Sequence, residues 1–231
     1  MGDLPGAGRP GAPGPAPAGH GDSPAAGRVA RRRLLIWRHG QTDHNVSGIW
    51  QGQLDTALSD TGRAQAQAAA AVLATYEPVA IVSSDLSRAA ETAEALASRL
   101  GLTVRHDERL REIHAGEWQG MTAGDVADQF PEEQAALAAG EDLPRGTYGE
   151  TLAQVAERAR AAVDDLLAEL QPGQSAVVAT HGVAGRAVVA SMVGLSQHEA
   201  WMGIGGLHNC HWAELSEGRL GWRITAWNVG A

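Results

Sequence analysis

Three short apolar runs in this chain each end on residues able to do chemistry. "LLIWRHG" (34–40) closes on Arg38-His39-Gly40, "VAIVSSD" (79–85) is followed by Arg88, and "VVATHG" (177–182) closes on His181-Gly182. In open α/β sheets, ligands bind at the carboxyl ends of the strands. Guanidinium forks match the oxygens of a phosphate. A neutral imidazole among them is a nucleophile or base at ordinary pH. A lone His-Gly at a strand end, or a lone helical arginine, is more often structural. Four such residues at three strand ends describe an anion clamp built around a nucleophile.

For those residues to meet, the three runs must be neighbouring parallel strands, and the pattern between them agrees. Strands are expected at 33–38, 79–84 and 175–180, each a continuous apolar run of the kind buried on both faces. Helices are expected at 58–76, with Ser59 as N-cap, at 87–101, closed by Gly101, at about 150–170 and at 182–194. A short strand fits 102–107, and 111–149 reads as irregular with helical pieces near 122–130 and 132–139. "HNCHWAELSEG" and "GWRITAWNV" read as two alternating strands around a Glu-Gly turn. The alternation predicts an α/β fold, a three-layer α/β/α sandwich around a mostly parallel sheet with a small C-terminal antiparallel strand pair. Helix N-termini at the same edge are expected to offer further N–H groups to an anion.

The 231 residues are 44 % hydrophobic and carry a net charge of −9. A sizeable core is available, and neither nucleic acid nor an anionic membrane is an expected partner. The single cysteine, Cys210, excludes an internal disulfide and a multi-cysteine zinc site. No run approaches the roughly 20 apolar residues of a membrane span, and no signal-peptide core is evident, so a cytoplasmic location is expected. Residues 1–28 hold eight Gly, six Pro and six Ala. That composition predicts a disordered tail over 1–30 and one folded domain over 31–231. The Arg31-Arg32-Arg33 run at their junction reads as a solvated edge.

In order along the chain, these blocks resemble the histidine phosphatase superfamily, also called phosphoglycerate-mutase-like. The resemblance rests on the RHG tripeptide with Thr42 to Asn45 after it, "QGQLDTALSDTGRAQA", "SSDLSRAAETA", "RLREIHAGEWQG" and "ATHGV". It implies that His39 attacks phosphorus and forms a transient phosphohistidine. It places Arg38, Arg88 and His181 around the phosphoryl oxygens, with Asn45, Gln51 and Gly182 beside them. Glu112 would protonate the leaving alkoxide and then activate water, for which its carboxyl needs a raised pKa. Such an enzyme is a phosphoric monoester hydrolase using neither metal nor cofactor, its partner is a small-molecule phosphate ester, and a homodimer is compatible with it. The 69 positions from Glu112 to His181 are short for a mutase, which favours hydrolysis over phosphoglycerate isomerisation; a broad-specificity phosphatase is the other alternative. The leaving group would meet Ile49, Trp50, the 113–150 segment and the turn at His208, where Trp and His suit a sugar face and its hydroxyls. Among the remaining histidines, His114 is the other one expected near substrate. Two rivals were weighed: an iron site of His39, His181 and Glu112, opposed by the nearby arginine charges, and a Glu112 that merely pairs with Arg109 or Arg111.

Overall fold

A computed structural model describes residues 30–231. All but the last residue of the expected 1–30 tail therefore lies outside the described residues. The chain runs β1 (Arg33–Arg38), α1 (Asp43–Val46), α2 (Asp60–Leu73), β2 (Pro78–Ser83), α3 (Ser87–Leu100) and β3 (Val104–His106). It continues through α4 (Ala123–Gln129), α5 (Pro131–Ala138), α6 (Leu152–Glu169), β4 (Ser175–Thr180), α7 (Gly182–Val193) and α8 (Gln197–Gly203) to β5 (Trp212–Gly218) and β6 (Gly221–Val229). The six strands form one sheet in the order β3-β2-β4-β1-β5-β6. β3, β2, β4 and β1 are parallel, and β5 and β6 join antiparallel. The expected α/β class, with its mostly parallel sheet and C-terminal antiparallel pair, is the observed one.

Side-chain alternation divides each central strand between two cores, which is why these strands read as unbroken apolar runs. Leu34 and Ile36 of β1 pack with Val163 and Leu166 of α6 and Val188 of α7. Leu35 and Trp37 pack on the opposite face with Ala66 and Leu73 of α2 and Ala93 and Leu96 of α3. Alanines on α2 and α3 let those helices approach the sheet closely, while Trp37 fills the space and donates its indole N–H to the Cys210 carbonyl at 3.1 Å.

Two short helices, α1 and α8, are not among the elements expected from the sequence. Both begin with a capping box: Thr42 with Asn45, and Ser196 with Glu199. The basic junction also differs from expectation. Arg32 is not a solvated edge: it forks onto the Glu217 carboxylate at 2.8 and 2.6 Å and donates to the Leu167 carbonyl at 2.6 Å. That contact ties the start of β1 to the end of α6 and to β5.

The exit of β1 is fixed by two glycines in contact. A Cβ on Gly40 would lie 2.5 Å from the Gly62 carbonyl oxygen, and one on Gly62 would lie 2.0 Å from the Gln41 carbonyl oxygen. Gly62 sits in the first turn of α2, where Ser59 accepts its N–H at 3.1 Å and itself donates to the Gln41 carbonyl. The chain leaving β1 is thereby pressed against α2. Gly62→Ala is expected to lower unfolding free energy by more than about 2 kcal/mol, because backbone must move to admit the methyl group. Urea unfolding checks this; a change within about 0.5 kcal/mol would contradict the close approach.

Candidate active site

β2, β4 and β1 are consecutive in the sheet, so their carboxyl ends form one continuous edge. Register pairs Arg38 with Thr180, and the His39 N–H donates to the Thr180 carbonyl at 2.9 Å. This sets His39 beside His181, with ring centroids 5.1 Å apart. A cleft of about 180 Å³ opens there, and Arg38, His39, Asn45, Gln51, Arg88 and Glu112 line it together with Ile49 and Trp50.

Both histidines are buried. His39 is 3 % exposed and His181 not at all. Burial, followed by the charges of Arg38 and Arg88, holds the His39 imidazole well below its ordinary pKa. Its Nδ1 lies 2.6 Å from the Gly40 carbonyl, an acceptor only, so Nδ1 carries the proton and Nε2 is a bare lone pair. His181 is held neutral by burial and by the Arg88 and Arg38 charges. Its Nε2 is 2.9 Å from the Ser84 hydroxyl, which accepts the Leu86 N–H at 3.3 Å. Among the described residues that hydroxyl has no other acceptor for its own proton, so it donates to Nε2, and Nδ1 is the N–H of the ring.

The two arginines are held by carbonyls. Arg38 donates to Leu207 at 2.5 Å, and the fully buried Arg88 donates to Leu54 and Gly52, both at 2.8 Å. Burial lowers the Arg88 pKa to about 10 and draws Arg38 down as well, the Glu112 charge opposing both shifts. Arg38 Nε, Arg88 Nε and His181 Nδ1 are all buried without a hydrogen-bond partner. Each such orphan costs about 1–3 kcal/mol. Three of them around one bare imidazole nitrogen make a receptor for an anion with several oxygens.

The polar residues of the wall present donors too. Gln51 Oε1 accepts from Thr42 Oγ1 at 3.0 Å and Thr56 Oγ1 at 2.5 Å, which commits its oxygen and leaves its amide N–H groups to the cleft. Asn45 Oδ1 accepts from the Thr42 backbone N–H and from Asn209 Nδ2, each at 3.1 Å. Asn209 also donates to the His39 carbonyl at 3.1 Å. Gly182 opens α7 against Arg38, where a Cβ would stand 3.6 Å from the guanidinium carbon.

Glu112 is not paired with its neighbouring arginines. Arg111 pairs with Asp85, and Arg109 with Asp107 and Asp165. The Glu112 carboxylate instead accepts backbone N–H groups: Oε1 from Ile113 at 3.0 Å and Ala184 at 2.9 Å, Oε2 from Val183 at 3.1 Å. Arg158 Nη2 holds the Glu112 carbonyl at 2.9 Å. The helix N-termini therefore differ from expectation. α7 spends its first N–H groups on Glu112, and Asp55 caps α3 through the Ser87 N–H at 2.8 Å. An anion must be met mainly by side chains.

The structure does not bring His208 or His114 into the cleft wall. His208 is exposed, its ring set against His211 at 5.1 Å, while Asn209 takes the inward position beside it. His114 lies near Tyr148, and its Nδ1 accepts the Gly116 N–H. Cys210 is buried, and burial pushes its thiol up to about 12, which removes it as a nucleophile. Among the described residues, no group of three or more His, Cys, Asp or Glu is arranged to hold a metal ion. Sequence reasoning missed Ser84, Asn209, Arg158 and Arg186. Arg186 lies with its guanidinium carbon 3.7 Å from the Trp201 ring centroid, within range of the Glu112 charge.

The neutral histidines give the fold a pH signature. Their folded pKa values lie below the ~6.5 of an unfolded chain, so the unfolded state binds more protons in acid. Stability present above pH 6.5 is lost as pH falls below it toward the folded values, by up to about 1.4 kcal/mol per pH unit for each ring. The urea midpoint is expected to fall between pH 7.5 and 5.5 in the wild type and to fall less in His181→Gln. Equal slopes would contradict the buried neutral imidazole.

The profile of the histidine phosphatase superfamily (branch 1) matches residues 34–230. A glucosyl-3-phosphoglycerate phosphatase from Mycobacterium tuberculosis is 42 % identical over 216 residues, covering 87 % of this chain and 96 % of that one. The enzyme of the same description from Mycolicibacterium vanbaalenii is 42 % identical over 220 residues, with the same coverage. The mycobacterial glucosyl-3-phosphoglycerate phosphatase in complex with VO3 superimposes with a TM-score of 0.80 at 42 % identity, covering 86 % of this chain and all of that one. Its complex with inorganic phosphate gives 0.78 at 40 % identity, over 86 % and 98 % of the two chains. Sequence blocks, sheet order and relatives agree: the chain belongs to the histidine phosphatase superfamily, branch 1, and is a phosphatase.

Proposed function

We propose that this phosphatase works without a metal, through a phosphohistidine on His39, and that its substrate is glucosyl-3-phosphoglycerate. One observation carries the chemistry: a neutral imidazole with a bare Nε2, set among buried N–H donors that lack partners. Nε2 attacks phosphorus while Arg38, Arg88, His181 Nδ1, Asn45 and Gln51 receive the non-bridging oxygens. Such preorganised donors supply a large part of catalysis because they need no reorganisation as charge moves. The P–O bond to the leaving group breaks, and Glu112 gives its proton to the departing alkoxide. The carboxylate so formed takes a proton from water, the hydroxide attacks phosphohistidine, and inorganic phosphate leaves with His39 neutral again. Oε2 of Glu112 accepts only the Val183 N–H, so it retains a lone pair for this proton.

The substrate reading is supported by the relatives at 42 % identity. It is supported also by Arg186, which forms no ion pair among the described residues and lies within range of Glu112. A positive charge within range of the general acid suits the carboxylate of a glycerate.

Glu112→Gln is expected to lower turnover of glucosyl-3-phosphoglycerate by roughly 10²–10⁴-fold. The loss in the phosphorylation step should shrink with p-nitrophenyl phosphate, whose leaving group needs no proton. An equal loss in that step with both substrates would contradict the general-acid role. For the substrate itself, kcat/KM for glucosyl-3-phosphoglycerate should exceed that for 3-phosphoglycerate by about 10-fold or more, equivalent to ~1.4 kcal/mol of transition-state binding by the sugar. Comparable values would leave a broad phosphomonoesterase, and isomerisation of phosphoglycerate in place of phosphate release would overturn hydrolysis. A chelator should leave the rate unchanged.

A further inference from the structure

A second cavity, of about 230 Å³, shares Trp50 as a wall with the catalytic cleft. Apart from Trp118, its other walls come from α5, the loop through Arg145, the start of α6 and α8, outside the sequence blocks that mark the family. Three tryptophans line it: Trp50, Trp118 and Trp201. Trp50 and Trp118 meet edge-to-face at 5.1 Å, and Arg186, which feels the Glu112 charge, stacks on Trp201. The two cavities are thus joined by a shared wall residue, Trp50.

The lining selects among ligands. Trp118 is 1 % exposed, and its indole N–H has no acceptor. Arg145, 5 % exposed, is turned to the Leu143 carbonyl and to Asp142 at 3.6 Å, and Glu141 stands in the same wall. A second anion would meet two carboxylates and an arginine already engaged. A purely aliphatic group would leave the buried Trp118 N–H unmatched, which is costly. A neutral ring with a hydrocarbon face and a rim of hydroxyls satisfies both demands: the faces lie on tryptophan, and the hydroxyls meet the amide, imidazole and carboxylate. Together the two cavities reach roughly the lower end of the ~300–1,000 Å³ typical of small-molecule sites.

We propose that this cavity is a hexose subsite, which holds the sugar of the leaving group while the phosphate is bound at His39. The assignment rests on the reading of the substrate as a glycosylated phosphate ester and adds where its specificity is set. The full chain is compared with Ala138→Phe, which fills the cavity from an exposed position on α5, and with Trp201→Ala. The readout is the ratio of kcat/KM for glucosyl-3-phosphoglycerate to that for 3-phosphoglycerate. A ratio of about 10 or more in the wild type should fall to within about 2-fold of unity in both variants. A wild-type ratio that persists in both places the sugar elsewhere and overturns the subsite while the substrate reading stands. A wild-type ratio near unity refutes the substrate reading. The subsite is then decided by titrating methyl glucoside against tryptophan fluorescence: a saturable change abolished by Ala138→Phe supports it. No change, or one that survives Ala138→Phe, overturns it.

Discussion

A fully buried guanidinium, Arg88, and a half-buried one, Arg38, stand beside a neutral imidazole, and among the described residues neither has a carboxylate in ion-pair contact. Taking an ion out of water costs several kcal/mol even after relaxation. The fold offsets part of that cost with carbonyl dipoles from Leu207, Leu54 and Gly52, which neutralise no charge. The positive potential therefore persists until an anion enters. Together with burial, the larger cause, it keeps His39 unprotonated, and it makes the cleft electrostatically complementary to a phosphoryl group with developing negative charge. A rigid frame is required for this, which the twin cores on either face of β1 and β4 and the Gly40–Gly62 contact supply.

The same constraint explains where the negative charge of the protein goes. A carboxylate placed directly on Arg38 or Arg88 would consume the site. Glu112 is instead anchored by three backbone N–H groups, two of them at the start of α7, close enough to act on both arginines without pairing with either. Asp55 is likewise drawn to the start of α3. Helix N-termini here position the protein's own acids, and side chains receive the ligand.

What the sequence revealed follows from where the determinants lie. β1 and β4 are short runs buried on both faces, so their apolar continuity carries the signal directly, and the observed bounds match those expected. Arg38, His39, Arg88 and His181 were legible because they stand immediately beyond such runs, and strand order then brings them together. Asn209 and Arg158 act through partners up to 170 positions away and belong to no local pattern. Nothing in their neighbourhoods marks them. His208 failed for a related reason: the turn was placed near the cleft, but which of two adjacent side chains faces inward is decided by contacts with His39 and Asn45. For α8 a signal did exist, the Ser196 to Glu199 box, and it was not used.

Under the proposed mechanism, His39 Nε2 is the atom that receives the phosphoryl group. Phosphorylation by radiolabelled p-nitrophenyl phosphate needs no general acid, whereas hydrolysis of the intermediate needs Glu112 as base, so Glu112→Gln should accumulate labelled protein in a pre-steady-state burst. Quenched in base and digested, the label should sit on the peptide that contains His39, be stable to alkali and labile to acid, and disappear in a Glu112→Gln variant that also carries His39→Ala. A burst without labelled protein, or label on Ser83 or Ser84, would contradict it.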